Sequence, residues 1–385
     1  MQKSIAKSLN KNAELAVKEI KEQFSNVEDI CCIIFFVSYH YNSNEIAAAM
    51  SKYFSDVDSF GTISHKEIFT DGITEHSLVA TAFTSDLIED YHIEIVEKLN
   101  EGPDLQPTID KFASHYGSPL RYLEADKYFG LVLLDWNSKA EEKLFNELCE
   151  SVHLIFLGAS CSSTFTFSNT GVYFNGKYYN DAAIISLFKP KVKFSFEKIN
   201  VVEEICRPLL VTKSDLNNKI LYEIEGRPAA ELYCELVGLD YNSIARDDND
   251  IIKEFIKYPL GIKIENDIYL RDILRINKED KSLIMLINIP EGLNIHFFKI
   301  PNGDDIISNM KTQLEQIKNK YNKKINYMIN FSCYNVLMDV IREDKIEEFS
   351  SILREIICCA GFFTYGEYYT VPVNHTMTLL IFFDD

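Results

Sequence analysis

Apolar and polar positions follow the same order in three stretches of the chain. Each stretch opens with an apolar run typical of a buried strand, at residues 30–37, 129–135 and 325–332. A helical pattern, a second strand that ends at a glycine, a polar turn and another apolar strand come next in each. The spacing is irregular, which excludes a solenoid, and the three glycines are Gly61, Gly158 and Gly361.

The repeated order predicts an α+β fold with α/β-like repeats. Strand–helix–strand units of this kind build large mixed sheets with helices on their faces. The length of 385 residues exceeds what one core usually covers, so we expect two domains. Ligands of such sheets bind where loops leave the strand ends, so the polar turns after the three glycines are the first candidate site.

The apolar spacing also predicts the individual elements. Helices are expected at 4–24, 90–100, 138–151, 229–237, 243–257, 304–321 and 345–358. A hairpin is expected around Asn175-Gly176, within residues 171–179. Alternating apolar residues indicate antiparallel strands at 262–264, 270–276, 282–287 and 294–299.

The net charge and the cysteine content limit which partners and which compartment are expected. A formal net charge of -19 repels phosphate backbones and anionic lipid surfaces, so neither nucleic acid nor a membrane is an expected partner. The N-terminus does not resemble a signal peptide, and no apolar run is long enough to span a membrane. The nine cysteines show no Cys-x-x-Cys spacing, which favours reduced thiols over a zinc site. We therefore expect a cytoplasmic protein.

Two of the polar turns share the skeleton Gly-x-x-Ser/Thr-x-x-Glu. The two copies are Gly61-Ser64-Glu67 and Gly361-Thr364-Glu367. One interpretation is a capping box at a helix start, which fits the first copy better than the second. The other is a pocket wall, in which glycines admit a ligand and the hydroxyls and carboxylates bind it. The residues alone leave both interpretations open.

Catalytic motifs are weak in this chain. It has no phosphate-binding glycine loop, no dinucleotide-binding motif and no zinc-protease motif. Residues 158–162 resemble the first half of a nucleophile elbow, but Ser162 stands where that motif needs glycine. A hydrolase that used Ser160 or Cys161 would need a histidine base, and the sequence identifies none. We expect no enzyme activity, no metal and no resident cofactor.

Several motifs resemble the FIST family, named for F-box and intracellular signal transduction proteins. The stretch 361–367, followed by 374–378, is similar to the closing signature of that family, and 61–67 takes the place of its N-terminal signature. Residues 226–229 resemble the start of its C-terminal domain. The resemblance implies an N-terminal helix at 1–28, a FIST N-terminal domain at 29–220 and a FIST C-terminal domain at 221–385.

The resemblance implies an intracellular sensory domain for signal transduction. Its expected ligand is a small molecule of the class of amino acids and similar polar metabolites. Its expected partner is a separate signalling protein, such as a histidine kinase, a cyclase or a chemoreceptor. A subset of the family resembles haem-binding nitric-oxide sensors, so a haem protein is the alternative, and a hydrolase is the third hypothesis.

The sensor hypothesis assigns roles to the candidate residues. Arg271 would pair with a ligand carboxylate, and Glu67 or Glu367 would take an ammonium group. Nearby hydroxyls would orient the ligand. The predicted ligand-binding residues are Gly61, Ser64, Glu67, Gly158, Ser160, Arg271, Gly361, Thr364, Tyr365, Gly366, Glu367, Asn374 and His375.

Overall fold

The structure is a computed structural model that describes residues 4–163, 170–244, 251–265, 267–356 and 358–383. The elements of the first round and its flanks are β1 (Ile5–Ser8), α1 (Ala13–Gln23), β2 (Ile30–Ser38), α2 (Ser43–Tyr53), β3 (Asp58–Ser64), β4 (Glu67–Phe69), β5 (Gly72–Thr74), β6 (Leu78–Thr84) and β7 (Ile88–Glu97). Those of the second are α3 (Gln106–Tyr116), β8 (Phe129–Leu134), α4 (Glu141–Ser151), β9 (Phe156–Ser160), β10 (Val172–Phe174), β11 (Lys177–Tyr179), β12 (Ala182–Pro190) and β13 (Phe194–Ile199).

A long segment separates the second round from the third. Its elements are β14 (Glu203–Glu204), β15 (Leu209–Asp215), β16 (Ile220–Ile224), β17 (Arg227–Pro228), α5 (Ala229–Val237), α6 (Tyr241–Ile244), α7 (Ile251–Lys257), β18 (Leu260–Ile264), β19 (Asp267–Arg271), β20 (Ile273–Asn277), β21 (Ser282–Met285) and β22 (Asn294–Lys299). The third round contains α8 (Gly303–Tyr321), β23 (Ile325–Cys333), α9 (Tyr334–Arg342), α10 (Ile346–Arg354), β24 (Cys358–Thr364), β25 (Glu367–Tyr369), β26 (Val371–Val373) and β27 (Met377–Phe383). Short 3-10 turns lie at Leu99–Glu101, Leu120–Tyr122 and Trp136–Ser138.

The three rounds build three sheets with one plan. Over the described residues each sheet has six strands, in the orders β1-β6-β2-β3-β10-β11, β7-β12-β8-β9-β25-β26 and β13-β27-β23-β24-β4-β5. In each, the first two strands of a round are parallel and its last long strand is antiparallel to the first. The predicted α+β class with repeated units and large mixed sheets is confirmed.

Each sheet is completed by a hairpin that belongs to a different round. The β4–β5 hairpin of the first round pairs with β24 of the third, and the β25–β26 hairpin of the third pairs with β9 of the second. The β10–β11 hairpin of the second pairs with β3 of the first. The exchange is cyclic, so the three rounds are related by an approximate threefold arrangement.

The core lies between the three sheets, and helices cover their outer faces. The inner core is aromatic and draws on all three rounds, with Phe36, Phe60, Phe129, Phe188, Phe331 and Phe362 among its fully buried members. Outside, α1 and α2 cover the first sheet, α3 and α4 the second, and α8 to α10 the third. The inserted strands β14 to β22 form a further sheet that packs against α5 and α7.

The glycine of each round lies inside its second strand and not at the end, where we expected it. Three residues follow Gly61 and Gly361 before their strands end, and two residues follow Gly158. The reason is close approach, because a Cβ at these positions would lie 1.8–2.6 Å from a carbonyl oxygen of the neighbouring parallel strand. The polar turns therefore begin later than predicted.

Several predicted helices are corrected by sheet pairing. The helix expected at 90–100 is wrong, because residues 90–97 lie in strand β7. This strand pairs with β12 from Ala182 to Pro190, so tertiary pairing outweighs the helical spacing. Residues 4–24 divide into an edge strand, β1, and the helix α1, which Asn12 caps. The helix expected at 345–358 ends at Arg354, and α3 and α9 were missed. Helices at 229–237 and 304–321 are confirmed, while 245–250 of the helix at 243–257 lie outside the described residues.

Candidate functional site

The polar turns that follow β3, β9 and β24 meet at one end of the three sheets. The backbone N–H of Ser162 donates to the carbonyl oxygen of Ile63 at 3.2 Å, which joins the second round to the first. The backbone N–H of Ser160 donates to the carbonyl oxygen of Gly366 at 2.8 Å, which joins the second to the third. The exchanged hairpins bring the turns together.

Glu67 lies in the first of these turns and is fully buried. Its carboxyl accepts hydrogen bonds from the hydroxyl of Ser64, at 2.6 Å, and from that of Ser77. Burial raises the pKa of Glu67 to about 8, against the effect of the two serines. Because Glu67 begins strand β4, the capping-box interpretation of this turn is wrong, and the Ser64–Glu67 bond closes a turn between two strands.

Glu367 takes the equivalent place in the third round. It stands opposite Ala159, one residue after Gly158, just as Glu67 stands opposite Phe362, one residue after Gly361. Its Oε1 accepts from the backbone N–H of Thr376 at 2.9 Å, and burial holds its pKa well above the ordinary value. No helix begins here either, so the capping-box interpretation also fails for the second copy.

His375 is buried between two aspartates. Its Nε2 lies 2.5 Å from Asp339 Oδ2, and its Nδ1 lies 3.6 Å from Asp272 Oδ1. Burial opposes the charge, but the two carboxylates outweigh it and raise the pKa of His375 to about 10. The side chain of Asn335 donates to Asp272 at 2.6 Å, so the cluster ties the inserted sheet to α9 and to the turn before β27.

Arg271 and Asn374 hold the β25–β26 hairpin against the inserted sheet. Arg271 donates to the carbonyl oxygen of Pro372 at 3.2 Å, and the side chain of Asn374 accepts from the backbone N–H of Asp272 at 3.1 Å. Burial lowers the pKa of Arg271 to about 10. The guanidinium therefore faces protein backbone in this structure.

A cavity of about 580 Å³ opens beside this hairpin. Its walls come from the start of α4, the turn between β15 and β16, the strands β20 and β21 with the residues after them, and the β25–β26 hairpin. The lining residues are Trp136, Lys139, Glu141, Glu142, Asn217, Asn218, Lys219, Leu274, Ile284, Met285, Leu286, Ile287, Tyr365, Gly366, Tyr368, Pro372, Val373 and Asn374.

Charged side chains of both signs line this cavity. Glu142 and Lys219 neutralise each other across it, with Nζ 2.9 Å from Oε1. Lys139 is exposed, and no described residue forms an ion pair with it. Glu141 is partly buried, and burial raises its pKa to about 7. The cavity therefore offers one acid and one base that the described protein does not use.

Asp135 fixes the wall that carries these charges. It is buried at the end of β8, where Oδ1 caps the 3-10 turn by accepting from the backbone N–H of Asn137 at 3.1 Å. Its Oδ2 accepts from the backbone N–H of Asp181 at 2.7 Å. This turn places Trp136 and Lys139 at the cavity, and the ring of Trp136 meets the edge of the Tyr365 ring at 5.8 Å.

Comparison with known proteins identifies the family. Residues 31–227 match the FIST N domain, and residues 229–370 match the FIST C domain. The chain belongs to the FIST family. FIST domains are associated with sensory signal transduction. The cavity lies where these two matched regions meet, because its lining comes from both. The division of the chain at residue 220 stays a prediction.

One curated relative of this FIST protein comes from Methanocaldococcus jannaschii. An uncharacterized protein of Methanocaldococcus jannaschii is 22% identical over 268 residues, which cover 63% of this chain and 50% of that protein. The chain therefore matches about half the length of this relative. Within the described ranges, no helix is both long and apolar enough to cross a membrane.

The predicted site residues of this FIST protein fall into three groups. The cavity is lined by Tyr365, Gly366 and Asn374. Directly behind it lie buried residues of the same turns and of the hairpin contacts, namely Ser160, Arg271, Thr364, Glu367 and His375. The third group lies in the strands and in the first turn and consists of Gly61, Ser64, Glu67, Gly158 and Gly361, of which Gly158 is paired with the lining residue Tyr368. Ligand contact stays a prediction for all of them.

Sequence reasoning missed the charged wall of the cavity. Lys139, Glu141 and Glu142 lie in the second round and Lys219 lies in the inserted segment, and none belongs to a recognisable motif. Glu141 and Glu142 are the first residues of α4, where acids are common because they favour the positive end of a helix. The one available signal was Asp135, a polar residue at the end of a buried strand.

The candidate nucleophiles are enclosed in the turn of the second round. The hydroxyl of Ser160 lies 2.6 Å from the hydroxyl of Tyr368, and both side chains are buried. The thiol of Cys161 lies 3.6 Å from Asp135 Oδ1, and burial raises its pKa. No described histidine lies within hydrogen-bond distance of either, so this geometry gives no support to a serine or cysteine hydrolase.

The residues also fit haem poorly. The cavity lining, as far as the structure describes it, includes no histidine or cysteine. His375 does not line the cavity; it is buried with Nε2 hydrogen-bonded to Asp339 and Nδ1 3.6 Å from Asp272, which does not suit an axial ligand there. Among the described residues, no group of three or more His, Cys, Asp or Glu side chains could hold a metal ion.

Proposed function

We propose that this FIST protein is a sensory protein that binds a small polar metabolite, with an amino acid as the expected class. The binding site is the cavity between α4, the β15–β16 turn, the residues around β20 and β21, and the β25–β26 hairpin. The observation that carries the proposal is this cavity with an unused acid and an unused base on its wall. The protein acts by binding and not by turnover.

Size and lining support a small ligand with both charges. Ligand pockets in proteins commonly range from roughly 300 to 1,000 Å³, and this one of about 580 Å³ lies within that range. Met285 and Ile287 supply apolar wall, while Lys139 and Asn218 supply donors for a carboxylate. An amino acid presents a carboxylate, an ammonium and a side chain, which matches this mixture.

The position of the cavity supports a sensory role. A ligand in it would touch the second round, the third round and the inserted sheet at once, because the walls come from all three. A ligand that fits one arrangement of these parts better than another shifts their equilibrium. We propose that a separate signalling protein, such as a histidine kinase, a cyclase or a chemoreceptor, detects that shift.

A thermal-shift and calorimetric screen tests the proposal. The full chain is mixed with each of the twenty amino acids and with the matching acids that lack the amino group. A ligand at about 100 times its dissociation constant should stabilise the protein by about 2.7 kcal/mol. Lys139→Ala should weaken binding of the ligand carboxylate, and Lys143→Ala, on the helix α4 that follows but outside the cavity lining, is the matched control.

Two binding results, and any turnover of the ligand, would overturn the proposal. One is that no amino acid or carboxylic acid raises the melting temperature at millimolar concentration. The other is binding that is equally tight in the wild type and in Lys139→Ala, which would place the ligand elsewhere. Turnover of the ligand, seen as product in the same mixtures, would replace binding with catalysis.

A further inference from the structure

The two acids at the start of α4 have different surroundings. Glu142 pairs with Lys219 at 2.9 Å and accepts a hydrogen bond from the side chain of Asn288. Glu141 lines the same cavity, yet no other residue in the described ranges forms a hydrogen bond or an ion pair with its carboxyl. The protein thus neutralises one acid and leaves the adjacent one to face the cavity.

Three aromatic rings line the same cavity as Glu141. Trp136 and Tyr365 meet edge to face, with ring centroids 5.8 Å apart and planes 72° apart, and both line the cavity. Tyr368 also lines it, and its ring is fixed by stacking on Phe145 at 4.2 Å. Rings at an angle beside a carboxylate attract an organic cation, because each ring face carries negative charge.

The electrostatics of the wall also favour a cation. The charged groups that act on Glu141 are Lys219, Glu142 and Asp135, of which the first is already paired with Glu142. Burial makes the ionised form of Glu141 costly, and its negative charge also acts on the hydroxyl of Tyr368. A bound ammonium would stabilise this carboxylate, with which no described cation forms an ion pair.

We infer that Glu141, in a cavity that Trp136, Tyr365 and Tyr368 also line, binds the ammonium group of the ligand and so selects amine-bearing metabolites. This inference rests on the proposed function, since it concerns the same cavity, but it names the residue and the chemical class. It assigns the ammonium to Glu141 and not to Glu67 or Glu367, whose carboxyls are fully buried behind the turns.

An organic cation fits this site better than a metal ion. Divalent metals take several oxygen ligands, and Ca²⁺ takes six to eight. Glu141 is the one lining carboxyl that no described cation neutralises, since Glu142 already has Lys219. A single carboxylate beside aromatic rings is the arrangement that recognises ammonium groups.

Titrations with simple probes test the inference on the full chain. The probes are n-butylammonium and choline, which carry a cation and no carboxylate, and n-butyrate, which carries the reverse. The chain has one tryptophan, Trp136, so its fluorescence reports binding at this wall. The variants are Glu141→Gln and, as a matched control on the exposed side of α4, Glu150→Gln.

We expect n-butylammonium to change the Trp136 emission in the wild type and in Glu150→Gln, with affinity at least tenfold lower in Glu141→Gln. Choline separates a quaternary from a primary ammonium preference, and either supports the inference. Absence of binding by both ammonium probes, or equal affinity in Glu141→Gln, would overturn it. Butyrate or amino-acid binding that ignores Glu141 would overturn the inference and leave the proposed function standing.

Discussion

A Cβ on Gly361 would lie 1.8 Å from the carbonyl oxygen of Asn330 on the adjacent parallel strand. The corresponding contacts in the other rounds are Gly61 with Phe35, at 2.1 Å, and Gly158 with Val132, at 2.6 Å. Each round therefore needs glycine at one point of its second strand. The requirement is geometric, because the colliding atom is backbone and no side-chain rotation relieves the clash.

Gly361→Ala is expected to destabilise the protein. The backbone of β23 and β24 must separate to admit the methyl group, and overpacking of this kind costs about 3 kcal/mol. Urea denaturation followed by circular dichroism measures the change. Gly366→Ala is the control, because its Cβ would have its nearest neighbour, the Tyr368 hydroxyl, at an ordinary 3.4 Å. A Gly361→Ala protein as stable as the wild type would contradict the close approach.

The Glu67→Gln variant is expected to gain stability relative to the wild type as the pH rises. The pKa of Glu67 is about 8 in the folded protein and ordinary when unfolded, so folding keeps a proton that the unfolded chain has lost. The contribution of the protonated Glu67 to the free energy of unfolding is complete below about pH 4.5 and is lost as the pH rises through 8. Over this window the free energy of unfolding falls by up to about 1.4 kcal/mol per pH unit. Glutamine does not titrate, so the variant should gain on the wild type across this window.

Denaturation curves of both proteins at several values between pH 5 and 9 test this. Glu150→Gln, an exposed acid on α4, should show no such trend and controls for the loss of a surface charge. A constant difference between wild type and Glu67→Gln would mean that Glu67 is ionised in the folded protein. The hydrogen bonds from Ser64 and Ser77 would then outweigh its burial.

The repeat could be predicted from sequence, but the exchange of hairpins could not. Long buried strands such as β2 and β23 carry nine residues of mostly apolar pattern, and their order along the chain was sufficient to identify the three rounds. The hairpin strands have three residues each, and β4 pairs with β24 about 290 residues away. Three residues carry no periodicity that selects a partner, so only the folded chain determines the pairing.

The candidate site was predictable only in part for a similar reason. The turns after the strands drew attention to Tyr365 and Gly366, which do line the cavity. Glu67 and Glu367 looked like ligand groups because a sequence does not tell whether a carboxylate in a turn faces solvent or the interior. The sequence does not single out Glu141, and its proposed role depends on the pairing of Lys219 with Glu142, a contact between distant segments.

His375→Asn is expected to destabilise the protein by roughly 3–5 kcal/mol, because it leaves Asp272 and Asp339 buried without the cation between them. The pKa of His375 is raised to about 10, so its stabilisation is complete below about pH 6.5 and is lost as the pH rises toward 10. Urea denaturation at pH 7 and pH 10 should give a smaller loss at the higher pH.

A double variant separates this charge pairing from a packing effect. Adding Asp339→Asn to His375→Asn removes one of the two carboxylates that lose the histidine. The combined loss of stability should therefore be smaller than the sum of the losses in the single variants. Asp339 also pairs with Arg342 at 2.9 Å, and in the double variant the Arg342 side chain, which is 30% exposed, can be solvated. Strict additivity would show that His375 contributes through its shape and not through its charge.

Ligand binding is expected to change the fluorescence of Trp136. This residue is the one tryptophan of the sequence, it lines the cavity, and its ring meets Tyr365 at 5.8 Å. A ligand beside it replaces water, so the emission maximum should move to shorter wavelength with the same concentration dependence as the calorimetric heat. Tyr365→Phe keeps the ring contact and should preserve the signal, whereas Tyr365→Ala removes one wall and should weaken binding. Calorimetric binding with unchanged Trp136 emission in the wild type would place the ligand outside this cavity.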